Sequence, residues 1–380
     1  MSKIGDFIQQ PAGHKAFVPG VFPPSHLVHW DDELILLLSE ANLAIGRLKE
    51  IELTVPDVDF FIFMYVRKEA ALSSQIEGTQ ATIIDLLKAE AKIGDELPSD
   101  VDEIRNYIAA MNHGLKRLKR LPLSLRLIRE IHGALLKGVR GENRTPGEFR
   151  KTQNWIGGAS IASASFVPPP ASEILRAMGD IEKFIHSKVD AIPVLIRAGL
   201  IHAQFETVHP FLDGNGRVGR LLITFYLISE NIITRPLLYL SDFFRKHRLD
   251  YYDKLNNYRV DGGVEIWLKF FLDGVKMVAT DAADVAVEIM RLKDRDAKKV
   301  ADFGRNAKTG FHMLEQLYSM PVVDAKAVSR ITGLSSKSTV NQLIEKFTAS
   351  GILREETGKK KNRRFVYRDY LNKFSKGTLR

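Results

Sequence analysis

Cysteine is absent from the 380 residues, so no disulfide and no thiolate metal site can form. That suits a reducing compartment, and a cytoplasmic location is the expectation. No apolar run is long enough to span a bilayer, and residues 1–10 lack the apolar core of a signal peptide, so no membrane partner is expected. The phosphate-loop pattern Gly-x-x-x-x-Gly-Lys-Ser/Thr is missing, as are internal repeats and low-complexity tracts. Net charge is also missing from the first 300 residues. Residues 301–380 hold 16 Lys and Arg against 7 Asp and Glu, which accounts for the whole formal charge of +9. A basic tail on a neutral body suggests an acidic partner, with DNA the first candidate and a merely solvated surface the alternative.

What is present is ordinary in bulk, with 45% apolar and 27% charged residues and length enough for two or three domains. One stretch is not ordinary: His209-Pro-Phe-Leu-Asp-Gly-Asn-Gly-Arg-Val-Gly-Arg220. Val218, Leu221, Leu222, Phe225 and Ile228 follow helical spacing, so a helix is expected to start near Asn215. The Gly-Asn-Gly turn then lies at a helix N-terminus, where backbone N–H groups and the dipole favour anions. Glycine allows close backbone approach to a phosphate. Arg217 and Arg220, three apart, are placed to reach over the same helix end. Alone, a His-Pro or a Gly-x-Gly is an ordinary loop or turn; together these residues describe a polyphosphate cradle beside a base.

Along the chain, residues 1–30 read as Pro-rich and irregular, with Pro19, Pro23 and Pro24 as breakers. A helix capped by Asp31 or Asp32 runs to about Glu52, and Pro56-Asp57 open a second, strongly apolar one. This second helix ends in Ser73-Ser-Gln-Ile-Glu77-Gly78, with Ser73 and Glu77 on one face. A carboxylate at a helix C-terminus meets an unfavourable dipole unless a cation pairs with it. Thr79–Ala91 reads as a helix, and Gly94–Pro98 as a linker. Ser99 with Asp102 forms a capping box for a helix to Lys119. Ser124 opens another, striped by Leu127, Ile128, Ile131 and Leu135. Residues 140–170 turn to Gly, Pro, Ser and aromatics, the pattern of a short β-hairpin. Ser172 is expected to cap a helix to Ser187, Pro193 one that leads into the His209 stretch, and Val264 a long one toward Lys298. Residues 292–308 read as a solvated link. Asp324–Ile331, a Gly333-Leu334 turn and Ser336–Ala349 have helix-turn-helix spacing, followed by two short strands around Gly358–Asn362.

The 209–220 stretch resembles the Fic family signature, His-x-Phe-x-Asp/Glu-Gly-Asn-Gly-Arg-x-x-Arg, at every specified position. The Ser73–Gly78 string resembles that family's N-terminal inhibitory motif. The resemblance implies a mainly α fold, a Fic-type helical core with a short β-hairpin flap, and the tail resembles a winged helix. Residues 1–97 are then an N-terminal helical domain, 98–262 the catalytic core, 263–300 a connecting helix and 301–380 the winged-helix-like domain. The implied activity is transfer of AMP from ATP to a Ser, Thr or Tyr hydroxyl of a target protein or of the chain itself, with release of pyrophosphate. His209 would take the hydroxyl proton, and Asp213 would supply an oxygen to Mg²⁺. Gly214, Asn215 and Gly216 would face developing oxyanion charge. Arg217 would hold the β-phosphate and Arg220 the γ-phosphate. Glu77, with Ser73 beside it, would pair with Arg220 and inhibit. Tyr252 and Leu255 would line the adenine pocket, with Arg259 where some members carry asparagine. Ile156, Gly157, Gly158 and Val167 belong to the flap that would clamp a target segment by strand addition. A homodimer is compatible with the resemblance.

Other functions stay open on sequence alone. One is a transcriptional regulator whose tail binds DNA while the core senses nucleotide. Others are transfer of a different phosphate-linked group, or removal of AMP, on the same scaffold.

Overall fold

A computed structural model describes residues 4–23, 28–54, 58–93, 97–187, 192–259 and 263–374. Pro24, Pro56, Asp57 and the 94–96 part of the expected linker lie outside them. The chain begins with β1 (Gly5–Gln9) and β2 (Lys15–Pro19), an antiparallel pair with Gly5 opposite Pro19. The helices α1 (Asp32–Thr54), α2 (Val58–Ile76), α3 (Ile83–Ala91), α4 (Val101–Leu118) and α5 (Leu125–Leu135) follow. After the flap come α6 (Ile174–His186), α7 (Val194–Val208), α8 (Asn215–Ser229), α9 (Ser241–Lys246), α10 (Arg248–Asn257) and α11 (Gly263–Ala301). The C-terminal part holds α12 (Ala307–Leu317), β3 (Val322–Asp324), α13 (Ala325–Thr332), α14 (Lys337–Ala349), β4 (Arg354–Glu355), β5 (Arg364–Val366) and α15 (Arg368–Phe374). The expected mainly helical fold is what the chain adopts.

These elements form two compact units. One comprises residues 1–49, 72–79 and 102–280, the other residues 50–71, 80–101 and 281–380. This division follows packing rather than chain order and cuts across the four consecutive segments expected from sequence.

In the first unit, α7 is buried on every side from Leu195 to Val208, the pattern of a helix at the centre of a core. It packs on α6, α8 and α10, and α8 is nearly as enclosed. Some polar side chains inside this core are matched, while Gln204 Oε1 and Glu206 Oε1 of α7 have no hydrogen-bond partner among the described residues. His202 donates from Nδ1 to the Gly219 carbonyl at 3.0 Å and accepts at Nε2 from the Tyr251 hydroxyl at 2.9 Å. Trp267 Nε1 donates to the Gly199 carbonyl at 2.9 Å. The six residues between α7 and α8 are 209–214, so the central helix pair itself presents the signature loop.

In the second unit, β3, β5 and β4 form an antiparallel sheet in that order, with Val322 and Arg354 both opposite Val366. Asp324 caps α13 by accepting from the Ala327 N–H at 2.7 Å, and Gly333 ends it at φ 72°. Phe60 lies 4.9 Å from Tyr318, ring to ring, so the early turns of α2 are built into this unit.

Five local expectations change. Residues 1–30 contain a hairpin, because Ala16 and Phe17 bury against the fold and Pro19 ends a strand rather than breaking one. The flap is not a hairpin of two strands. It closes through a single bridge, Ile156 to Phe166, around a 3₁₀ turn at Ile161–Ser163. Ser172 sits inside a 3₁₀ turn, Ala171–Glu173, and does not cap α6. The helix expected from Thr79 starts at Ile83, because Thr82 and Asp85 form a reciprocal capping box. Residues 292–301 continue α11 rather than forming a solvated link, and Asp296 within them is fully buried, accepting from the Tyr367 hydroxyl at 2.6 Å.

Gly114 of α4 faces the Phe225 ring of α8, and a Cβ there would collide with that ring. Gly114→Ala gains about 1 kcal/mol of helix propensity but overpacks the core by roughly 1–3 kcal/mol. The expected outcome is a lower urea midpoint; an unchanged or raised midpoint would contradict the packing.

Candidate active site

α7 delivers His209 at its end. The His209 N–H donates to the Phe205 carbonyl at 2.9 Å, and the residue then turns left-handed, with φ 47° and ψ 59°. For a non-glycine residue this costs on the order of 1–3 kcal/mol and persists only where neighbours enforce it. The enforcing groups come from the arm leading into the flap. Arg150 Nε donates to the His209 carbonyl at 3.0 Å, and its Nη2 donates to the Pro169 carbonyl at 2.6 Å. Asn154 Nδ2 donates to the His209 and Phe211 carbonyls at 3.3 and 3.0 Å.

The rest of the loop is held from inside. Phe211 is fully buried, and the Asn215 side chain brackets it. Asn215 Oδ1 accepts from the Phe211 N–H at 2.9 Å, and Nδ2 donates to its carbonyl at 2.8 Å. His132 stacks on the Phe211 ring at 3.7 Å between centroids. The Gly147 N–H donates to His132 Nδ1 at 2.8 Å, so Nε2 carries the proton and donates to the Asp213 carbonyl at 3.0 Å. Asp213 Oδ1 accepts from the Gly214 N–H at 2.6 Å. Gly214, at φ 77°, then starts α8.

A cavity of about 500 Å³ opens on this loop. His209, Asp213, Gly214, Asn215, Gly216 and Arg220 line it, as do Glu77, the flap residues Ile156 and Gly157, and Tyr252 and Leu255 of α10. These expected site residues are thus brought together from four places in the chain. Ser73 stands behind Arg220: Arg220 Nε donates to its hydroxyl at 2.8 Å and Nη2 to its carbonyl at 2.9 Å. The same Nη2 donates to Glu77 Oε1 at 2.8 Å. The Glu77 carboxylate lies directly over Gly216, where a Cβ would collide with it.

Three expected residues are placed elsewhere. Val167 is buried, and its carbonyl accepts from the Phe17 N–H at 3.0 Å. Gly158 turns against Ser163 outside the cavity lining. Arg217 is fully enclosed and does not line the cavity, because Glu103 at 3.4 Å and Asp213 at 3.6 Å draw its guanidinium away. Its Nε and Nη2 lack hydrogen-bond partners among the described residues.

Burial sets the protonation states. It pushes His209 down to about 4, aided by the charges of Arg150 and Arg259, so the imidazole is neutral at pH 7. Burial likewise pushes His132 to about 4 and His202 to about 3. Burial would raise Glu77, but the charge of Arg220 and its hydrogen bond outweigh it and hold the carboxyl below its usual range. Glu206 makes no ion pair with a Lys or Arg among the described residues, and burial raises it to about 7. Its Oε2 is 3.8 Å from His209 Nδ1, and both it and Arg259 line the cavity. Arg259 lies 3.5 Å over the Phe166 ring and donates to Asn256 Oδ1 at 2.7 Å.

Sequence reasoning missed Arg150, Asn154, His132, Glu103 and Glu206. Only Glu206 carried a signal: it precedes His209 by three residues, one helical turn. The others converge from distant segments through backbone contacts that leave no spacing in the chain.

The buried histidines predict a pH dependence of stability. Each binds a proton more readily unfolded, near 6.5, than folded, so its contribution is present above that value and lost as pH falls toward 4. Glu206 acts in the opposite sense, since its raised value favours the folded state as pH falls from 7 toward 4.5. The balance is a loss of roughly 3 kcal/mol between pH 7 and pH 5. Urea midpoints at the two pH values measure it, and equal midpoints would show that these rings are not buried as neutral groups.

Residues 35–116 match the Fic/DOC family N-terminal model, and residues 122–227 match the Fic/DOC family model. A protein adenylyltransferase Fic of Drosophila grimshawi is 27% identical over 243 residues, covering 62% of this chain and 44% of the relative. A probable protein adenylyltransferase of Aquifex aeolicus is 28% identical over 184 residues, 46% of this chain and 51% of the relative. The chain therefore spans about half the length of these curated relatives. Among solved structures, a Fic family protein from Desulfovibrio desulfuricans superposes with a TM-score of 0.59 at 18% identity, covering 90% of this chain and 97% of that one. Fic-1 from C. elegans superposes with a TM-score of 0.50 at 18% identity, covering 68% of this chain and 74% of that one. Those two likenesses establish the fold. With the signature loop, the cradle at the start of α8 and both domain matches in one chain, the protein belongs to the Fic/DOC family.

Proposed function

We propose that this chain transfers AMP from ATP to a hydroxyl of a protein, and that Glu77 holds it inhibited. The adenylyltransferase names of its relatives support this reading. The observation that carries it is the Arg220 guanidinium bonded to Ser73 and Glu77 over Gly216, in the same cavity as a neutral His209. His209 takes the proton of the incoming Ser, Thr or Tyr hydroxyl as its oxygen bonds to the α-phosphorus. The bond from the α-phosphorus to the bridging oxygen breaks, and pyrophosphate leaves. The N-terminus of α8 at Gly214–Gly216 receives the charge that develops on the α-phosphate. Arg220, once free of Glu77, holds the γ-phosphate. Arg217, within ion-pair distance of Glu103 and Asp213 behind the cradle, would hold the β-phosphate.

No cluster of three His, Cys, Asp or Glu that could hold a metal exists among the described residues. A single carboxylate suits Mg²⁺ bound chiefly through substrate phosphates. Asp213, about one-third exposed and lining the cavity, fits that part. Mg²⁺ held there by Asp213 would offset phosphate charge. Tyr252 and Leu255 line the same cavity and suit the base, while Ile156 and Gly157 suit an extended target segment. Residues 307–374 we read as a winged helix, whose charge favours nucleic acid.

Labelling with ATP carrying a labelled α-phosphate tests the reaction. Glu77→Gly should label protein at least tenfold more than wild type, and Glu77→Gly with His209→Ala should return to background. Normal ATP binding by Glu77→Gly without a gain in label would refute inhibition by Glu77. Full labelling after His209→Ala would remove His209 as the base.

A further inference from the structure

We propose that the second unit carries a duplex-DNA site, in which cations of α13, α14 and the β4–β5 turn grip phosphates while one face of α14 reads base edges. It rests on the winged-helix reading of residues 307–374 and is independent of AMP transfer.

The groove of about 580 Å³ between these elements is lined by Lys326, Arg330, Lys337, Lys360 and Arg363, with Asn341 and Asn362 among them. Lys326, Arg330, Lys337 and Lys360 are exposed, and none makes an ion pair with a described residue. The nearby carboxylates are already engaged. Asp324 caps α13. Glu355 accepts from the Thr357 and Gly358 N–H groups at 2.7 and 3.0 Å, which holds it ionised as part of the turn. Glu356 pairs with Arg368. Glu345 is the exposed carboxylate on α14, two turns beyond Lys337.

Several of these placements are unfavourable without an external anion. α14 begins with Lys337 and has no acidic residue in its first turn, so a cation faces the positive end of the dipole. Its N-cap, Ser336, makes no side-chain cap bond. The first turn of α13 carries Lys326 as well, although there the Asp324 carboxylate caps the helix end. Lys359, Lys360 and Lys361 stand side by side, exposed, in the β4–β5 turn. Convergent unpaired cations on three elements match a polyanion with phosphates on two walls.

The composition of α14 distinguishes duplex from single strand. Ser338, Asn341, Gln342 and Glu345 are all exposed, at i, i+3, i+4 and i+7, so they share one face. Amide side chains pair with adenine in the major groove, and a carboxylate accepts from cytosine. Single-strand binding needs exposed aromatic platforms. The one aromatic residue lining this groove, Phe365, is buried.

Fluorescence anisotropy of the full chain with a labelled 25-base-pair duplex, from 50 to 200 mM KCl, tests this. Neutralisation of about five phosphates gives a slope of log K on log salt near −4.5. Lys337→Ala should flatten that slope by about 1, and Lys326→Glu with Lys360→Glu should weaken binding more than tenfold. Asn341→Ala with Gln342→Ala should leave affinity for random duplex intact and abolish any preference found by sequence selection. All are exposed positions, so unchanged urea midpoints should accompany these effects. Absence of binding at 50 mM KCl overturns the proposal. Salt-dependent binding untouched by the charge reversals places the site elsewhere and also overturns it. Equal affinity and slope for polyglutamate would identify a generic site for acidic chains instead.

Discussion

A guanidinium taken out of water must be answered by charge and hydrogen bonds, and Arg220 is the place where this chain meets that demand. Its side chain is 2% exposed and is satisfied by the Ser73 hydroxyl, the Ser73 carbonyl and the Glu77 carboxylate. Removing one partner from such a buried pair costs about 3–5 kcal/mol. Arg220 is therefore stable in only two ways: bonded to Glu77, or bonded to another anion delivered to the same spot. The N-terminus of α8 beside it imposes the same choice, since Glu77 lies over Gly216. Under the proposed function, a carboxylate from the chain and a phosphate from a ligand would compete for one electrostatic vacancy. The proposed inhibition and the proposed substrate binding are two occupancies of the same site.

The loop before α8 depends on contacts that act on backbone rather than on substrate. His209 is held left-handed by Arg150 and Asn154, Phe211 by Asn215 and His132, and Asp213 by the His132 Nε2–H. Asn215, a signature residue, thus braces the loop with its side chain and also lines the cavity. Such preorganisation lets His209 and the N-terminus of α8 keep their spacing without help from a ligand.

Much of this was legible in the chain. The spacing from Val218 onward placed the start of α8 at Asn215, and Glu77 was matched to Arg220 across 143 residues on motif alone. Helical periodicity served well where one face is buried, as in α5 and α14. It failed where burial is set by the tertiary neighbour. The β1–β2 hairpin owes its place to Phe17, whose N–H donates to the Val167 carbonyl. Arg217 shares the first turn of α8 with Gly216, yet Glu103 on α4 decides where its guanidinium goes. Charged residues after Met290 suggested a solvated segment, and a buried Asp296 bonded to Tyr367 shows how a polar group can sit in a core when it is paired.

Glu77 is the first residue beyond the last turn of α2, and the Gly78 that follows it has φ 97°. Helix ends open at a small fraction of the free energy of global unfolding. Freeing the carboxylate therefore asks for the unwinding of one turn, not for displacement of the helix. Under the proposed reaction, the ratio of basal to fully released activity becomes an equilibrium constant for that turn, and each factor of ten in it corresponds to about 1.4 kcal/mol. Substitutions at Gly78 or Gln75 that change fraying would retune the resting rate without touching the cavity residues, so the idle speed of the proposed reaction would be written in helix-end thermodynamics.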